Sequence, residues 1–269
     1  MLPTATKQYH FASDIHAHFL GNSPLIGTTT VLSILDKPLA FWASGLACAE
    51  LGWMNSKLFS EEVRLRKAKE YLSLIGAMNE KQYLALLDKA YKAHSVRVNK
   101  AKTSGVDMHR LLEEYIEGEI AGTGTLLPDP IIKPFVSWSQ KNVKKFLFSE
   151  LHCYSEVLHT GGIADFGFID MENKRVLGDF KSSKGIYFSM WLQCSGYDME
   201  LLENGGFTPD GQLIYEPGQK FDYHAIFAEK VGLDKPEFNF DVARTKRAFS
   251  CCVQLYKEKL FWEKDNEKV

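Results

Sequence analysis

The hydrophobic period of this chain first changes at Glu150, and that change restricts the fold more than any other feature of the sequence. Before it, apolar residues recur at helical spacing. They do so through VLSILDKPLAFWASGLACAELGW, where Lys37-Pro38 marks a break, through residues 60–76 and 79–98, and through VDMHRLLEEYIEGE, which a Ser-Gly pair at 104–105 opens. AGTGT and Pro128, Pro130 and Pro134 interrupt the pattern, and a further helix is predicted over 135–149. From Glu150, ELHCYSEVLHTGGIADFGFID and RVLGDFKSS are rich in β-branched and aromatic residues, so residues 150–182 read as three strands ending in a hairpin. Helix returns over 187–203, FDYHAIFAEK at 221–230 reads as a strand, and a last helix spans roughly 241–262. The order implies an α/β core over 101–269 carrying a helical N-terminal elaboration over 1–100.

Composition removes several classes. With 45% hydrophobic, 13% aromatic and 25% charged residues in 269, the chain has the make-up of an ordered globular protein. No stretch approaches the roughly 20 consecutive apolar residues of a bilayer crossing, and MLPTATKQYHFASDIHAHF lacks the plan of a signal peptide, so a cytoplasmic protein without membrane partners is expected. The five cysteines form no CxxC pair and predict no disulfide framework. A net charge of −2 argues against a protein that coats itself in phosphate, but it allows acidic residues at a metal site beside a basic groove.

Such a site is visible in the hairpin. In GDFKSSK, Asp179 and Lys181 are two apart on a strand and project from one face. If residues 171–173 form a three-residue loop, Asp170 pairs with Lys174 and Asp165 lies opposite Asp179, with Cβ atoms about 5 Å apart. Two carboxylates so close repel unless a cation lies between them. Hard oxygen donors suit Mg²⁺ or Mn²⁺ better than Zn²⁺, and a lysine beside them can orient water and neutralise a phosphate. The groups match metal-assisted phosphodiester hydrolysis. Alone, a D…DxK spacing is more often a turn residue and an exposed strand face; the neighbouring motifs are what distinguish this one.

GGIAD, then DFK fourteen residues on, then Gln193 and Tyr197 in QCSGY, together resemble the RecB-like branch of the PD-(D/E)XK nuclease superfamily, in particular its phage exonucleases and mitochondrial genome maintenance exonucleases. SGVDMHRLLEE is similar to the branch's histidine helix, and TTTVLSILDKPLAFWASGLA to a segment preceding the core in phage members. The resemblance implies a restriction-endonuclease-like mixed sheet flanked by helices. It implies that Asp165, Asp179, His109 and the Phe180 carbonyl bind Mg²⁺ or Mn²⁺, with Glu150 a further acidic ligand. It also implies that Lys181 positions the attacking water, and that Gln193 and Tyr197, four apart on one helical face, hold the nucleic-acid backbone or brace Lys181. The chain departs from the family in lacking a proline before Asp165 and in having Asp at 179. Because Cys251 and Cys252 are adjacent, no iron–sulfur cluster is expected.

Arg64, Arg66, Lys67 and Lys69, then Arg97, Lys100 and Lys102, then Lys141, Lys144 and Lys145 offer a phosphate track, and Trp42, Trp53 and Trp138 offer surfaces for unpaired bases. The function this implies is a Mg²⁺-dependent deoxyribonuclease, an exonuclease acting on single-stranded or free DNA ends. A structure-selective or nicking endonuclease and a catalytically silent nucleic-acid-binding module remain the alternatives.

Overall fold

A computed structural model describes residues 8–35, 40–123 and 128–266, without the side chains of residues 40, 98–107 and 265–266. The sequence break at Lys37-Pro38 and the side chains of Lys100 and Lys102 thus lie outside the described residues. The strands β1 (Tyr9–Ala12), β2 (Ala17–Leu20), β3 (Ser23–Pro24) and β4 (Ile26–Gly27) come first, followed by α1 (Thr28–Val31) and a 3₁₀ turn. Then come α2 (Ala40–Glu50), α3 (Glu61–Gly76), α4 (Glu80–Ala121) and α5 (Lys133–Asn142). The strands β5 (Val143–Ser155), β6 (Thr160–Asp170) and β7 (Arg175–Lys181) precede α6 (Phe188–Asn204). The chain ends in β8 (Gly206–Phe207), β9 (Leu213–Tyr215), β10 (Tyr223–Ala228), β11 (Glu237–Asn239) and α7 (Val242–Asn266). No helix among the described residues is long and apolar enough to cross a membrane.

The described residues divide into one unit within Met1–Leu35 and Asp107–Val269 and another within Asp36–Val106. Residues 8–35 therefore belong with the sheet and not with the N-terminal helices, which differs from the expected division at residue 100. The reason is pairing: Ile26 and Gly27 run parallel to Thr160 and Gly161 of β6, and the Thr28 hydroxyl donates to the Glu200 carboxylate on α6 at 2.5 Å.

Two local expectations need correction. The predicted 135–149 helix stops at Asn142, because Phe146 and Phe148 alternate with less buried neighbours and pair with β6, making β5 thirteen residues long. The helix expected to open at Ser104-Gly105 is instead continuous, since α4 runs through that pair. A glycine inside a helix costs only about 1 kcal/mol against alanine, which neighbouring turns absorb.

The large sheet is mixed, in the order β11-β10-β7-β6-β5-β8-β9 with β4 also beside β6. β5, β6 and β7 are antiparallel neighbours, and β10 runs parallel to β7. Strand alternation sends side chains to two cores. Val176 and Phe180 of β7 join Phe166, Phe168, Phe227 and Phe135, together with Met108, Leu112 and Ile116 of α4. Leu177 and Ile226 instead join Met190, Cys194, Tyr197 and Leu201 of α6. Trp138 packs on the first core, its ring 4.8 Å from Phe227 and 5.9 Å from Phe168, and so fills space instead of presenting a stacking surface. The architecture is a mixed α/β sheet with helices on both faces.

Candidate metal and phosphodiester site

The β6–β7 turn has the geometry its residues dictate. The Asp170 amide donates to the Lys174 carbonyl at 3.0 Å, the Asp170 carboxylate accepts from the amides of Glu172 and Lys174, and Asn173 adopts φ 64°. Asparagine tolerates that left-handed conformation better than most residues. The ladder then runs from Ile169 opposite Arg175 to Phe166 opposite Gly178, so its register carries Asp165 opposite Asp179. A β-carbon on Gly178 would sit 2.1 Å from the Phe166 ring, so only glycine lets that ring lie flat across β7.

On the other side of β6, Ser149 pairs with Phe166 and Leu151 with Ala164, which brings Glu150 level with Asp165. Glu150, Asp165 and Asp179 thus fall in one row across three adjacent strands. Glu150 itself has φ 46°, a left-handed conformation that glutamate rarely adopts inside a strand. Strain of this kind persists only where surrounding structure imposes it, and it gathers at functional positions.

α4 delivers His109 to this row. Met108 and Leu112 anchor the helix in the core, and His109 Nδ1 stands 3.8 Å from Asp165 Oδ2. The ligand atoms of His109, Glu150 and Asp165 all lie within 4.8 Å of one another. Asp165 Oδ2 also accepts the Phe180 amide at 2.7 Å, which fixes the carboxylate against β7. Asp179, outside that trio, is 1% exposed and ion-paired through Oδ2 with Lys181 Nζ at 2.5 Å. Its Oδ1 has no hydrogen-bond partner among the described residues. On α6, Gln193 Nε2 donates to the Tyr197 hydroxyl at 2.7 Å. The Tyr197 ring lies where a β-carbon on Gly162 would be, 2.4 Å from it, which accounts for the second glycine of GGIAD.

The electrostatics follow from this crowding. Burial raises Asp179 to about 6, with Asp165 adding to the rise and Lys181 opposing it. Burial and then the charges of Asp165 and Glu113 push Glu150 up to about 8, and burial also raises Asp165. Burial lowers His109, with Lys181 adding to the fall, while Asp179 and the Phe180 carbonyl oppose it. Burial alone would lower Lys181, but the Asp179 and Asp165 carboxylates outweigh it and raise the ammonium's pKa. The carboxylates of buried Asp179 and part-buried Asp165 thus share one lysine, and part-buried Glu150 beside them is pushed toward its neutral form.

The geometry therefore gathers His109, Glu150 and Asp165 as a trio, sets Asp179 with Lys181 beside them, and pairs Gln193 with Tyr197 one helix away. Two acidic residues went unread in the sequence. Glu113 and Glu117 lie four and eight residues after His109 on α4, and their charges act on Glu150. The i, i+4, i+8 spacing was the available signal. Of the basic runs, Lys67 is engaged within its own helix, 3.1 Å from Glu70 and over the Tyr71 ring. Lys144 is bound to Asn173 at 2.5 Å. Among known proteins, no family model and no curated sequence matches the chain.

Proposed function

We propose that this chain is a divalent-metal-dependent deoxyribonuclease with a restriction-endonuclease-like core of the RecB-like branch, acting on DNA ends. The observation that carries the reading is the convergence of His109, Glu150 and Asp165 beside the Asp179–Lys181 ion pair, in one row across β5, β6 and β7. The donor set fits Mg²⁺ or Mn²⁺: hard carboxylate oxygens, one imidazole, and a buried Asp179 oxygen that no hydrogen bond satisfies. Asp165, Asp179, His109, Glu150 and the Phe180 carbonyl would hold the ion, which supplies Lewis-acid polarisation of a phosphate oxygen.

The chain's own residues do the rest. Asp179 keeps the Lys181 ammonium protonated and aimed, so Lys181 stabilises negative charge developing on the phosphate while it orients the attacking water. The Phe180 amide holds Asp165 in place. Tyr197, buried against Gly162, accepts a hydrogen bond from the part-buried Gln193 and so fixes that amide as a polar edge for a nucleic-acid backbone or for Lys181.

The test is digestion of end-labelled linear single strands, blunt duplexes and covalently closed single-stranded circles, with Mg²⁺ and with EDTA. Loss of linear DNA alone, in Mg²⁺ alone, is the expected result. Equal loss of the circle would make the enzyme an endonuclease. Binding without cleavage in both Mg²⁺ and Mn²⁺ would leave a silent binding module.

A further inference from the structure

We propose that Tyr187 and Phe188 form a stacking platform for unpaired nucleobases at the mouth of the site, so that the substrate class is single-stranded or frayed DNA; this rests on the nuclease reading above. The two rings are 53% and 57% exposed, although the backbone that carries them is anchored on both sides. Ile186 before them and Met190 and Trp191 after them pack into the core shared with α6, and the Met190 amide donates to the Tyr187 carbonyl at 2.9 Å. The buried flanks fix the backbone while the two rings stay in water. This presents aromatic faces at low entropic cost, since the backbone beneath them is already fixed.

Their position selects the ligand. The segment Ser182–Ile186 runs directly from Lys181 to these rings and includes the exposed Lys184. Six residues beyond Phe188, Cys194 packs in one core with Leu177, two residues before Asp179 on β7, so that turn of α6 lies against the strand that carries Asp179 and Lys181. Six residues of helix span about 9 Å. That is close to three nucleotides at about 3.4 Å per stacked base. A strand with its scissile phosphate at Asp165 and Asp179 therefore needs only a few nucleotides to reach the rings, with Lys184 available to the backbone.

A protein partner fits poorly, because specific protein interfaces cover about 800 Å² per side, far more than two side chains offer. Duplex DNA fits poorly as well, because its bases are already stacked on one another. Base–aromatic stacking is strong and indifferent to sequence.

The experiment uses the full chain in EDTA, so that binding is read without cleavage. The probes are single strands carrying 2-aminopurine at successive positions from each end. The expected result is quenching confined to a few adjacent positions, lost in Tyr187→Ala/Phe188→Ala, with single-strand Kd rising roughly tenfold. Tyr187→Phe/Phe188→Tyr should restore both signals, which a merely structural role would not require. Unchanged quenching and affinity in a double alanine variant that melts like wild type would overturn the platform. Cleavage in Mg²⁺ is scored separately. Wild type that cleaves with no ring-dependent quenching defeats the platform alone, and ring-dependent quenching in a chain that never cleaves upholds the platform and defeats the nuclease reading.

Discussion

Two buried acids, Glu200 on α6 and Asp179 on β7, show how differently a protein can treat a carboxylate. Glu200 is fully enclosed, yet the hydroxyls of Thr28 and Thr160 donate to one oxygen at 2.5 and 2.7 Å and the Cys153 thiol to the other at 3.2 Å. Asp179 is equally enclosed but has one unsatisfied oxygen and a single lysine, with two further carboxylates nearby. Satisfying a buried polar group ties chain segments together, whereas leaving it short of donors works against stability by about 1–3 kcal/mol. Glu200 joins α1, β5, β6 and α6 and needs nothing more. The Asp179 row keeps a buried oxygen without a donor, and that shortfall is what the metal reading proposed above uses.

The largest effect that would break this comparison is on catalysis. Asp179→Asn should reduce DNA cleavage to the background seen in EDTA while DNA binding is retained or strengthened, whereas Glu200→Gln should cleave within a fewfold of wild type. A Glu200→Gln variant as dead as Asp179→Asn would mean that both carboxylates belong to one machine. Next comes Lys181→Ala, which should lower the cleavage rate on the order of 10²-fold, as loss of a preorganised charge typically does, while metal binding survives. Rates within a few-fold of wild type, measured under single-turnover conditions, would leave Lys181 only its ion pair.

The third effect is thermodynamic. A ligand at a hundredfold excess over its Kd stabilises the folded state by about 2.7 kcal/mol, which for a unit of this size raises Tm by roughly 5–11 °C. Mn²⁺ should produce such a rise in wild type and in Glu200→Gln, and little of it in Asp165→Asn. An equal rise in all three would place the ion somewhere other than the carboxylate row.

The same contrast explains what was legible in the sequence. The Asp165–Asp179 juxtaposition could be read because it depends on a three-residue turn between strands that are neighbours in the chain, with Asp170 and Asn173 supplying the turn chemistry. The Glu200 network could not, because its partners at 28, 153 and 160 come from segments that only tertiary packing assembles. The N-terminal strands were missed for a related reason. They are two to four residues long, too short for a period to show, and β4 is held by pairing with β6. The start of β5 was hidden by Lys144 and Lys145, which interrupt the alternation of Phe146 and Phe148. Glu150's left-handed backbone has no sequence signature at all.

The smallest effect concerns pH and tests whether Glu200 is purely structural. Burial raises its pKa from 4.5 to about 7, and the three donors pull in the opposite direction without cancelling it. Between these two values the folded state therefore holds a proton that the unfolded chain has released. The slope of unfolding free energy against pH is then negative, so the stability this group contributes is full below about 4.5 and is lost as pH rises through about 7. Glutamine at this position imitates the protonated acid and does not titrate. Other groups titrate in both proteins and drop out of the difference. Denaturant titrations of wild type and Glu200→Gln at a series of pH values should thus show the variant gaining on wild type by about 1–2 kcal/mol between pH 5 and pH 7, then running parallel at higher pH. Parallel curves throughout would show that Glu200 stays ionised across the range and that its three donors fully compensate its burial. Divergence in the opposite sense would mean that the carboxylate has a cationic partner, as Asp179 does, and the distinction between the two acids would fail.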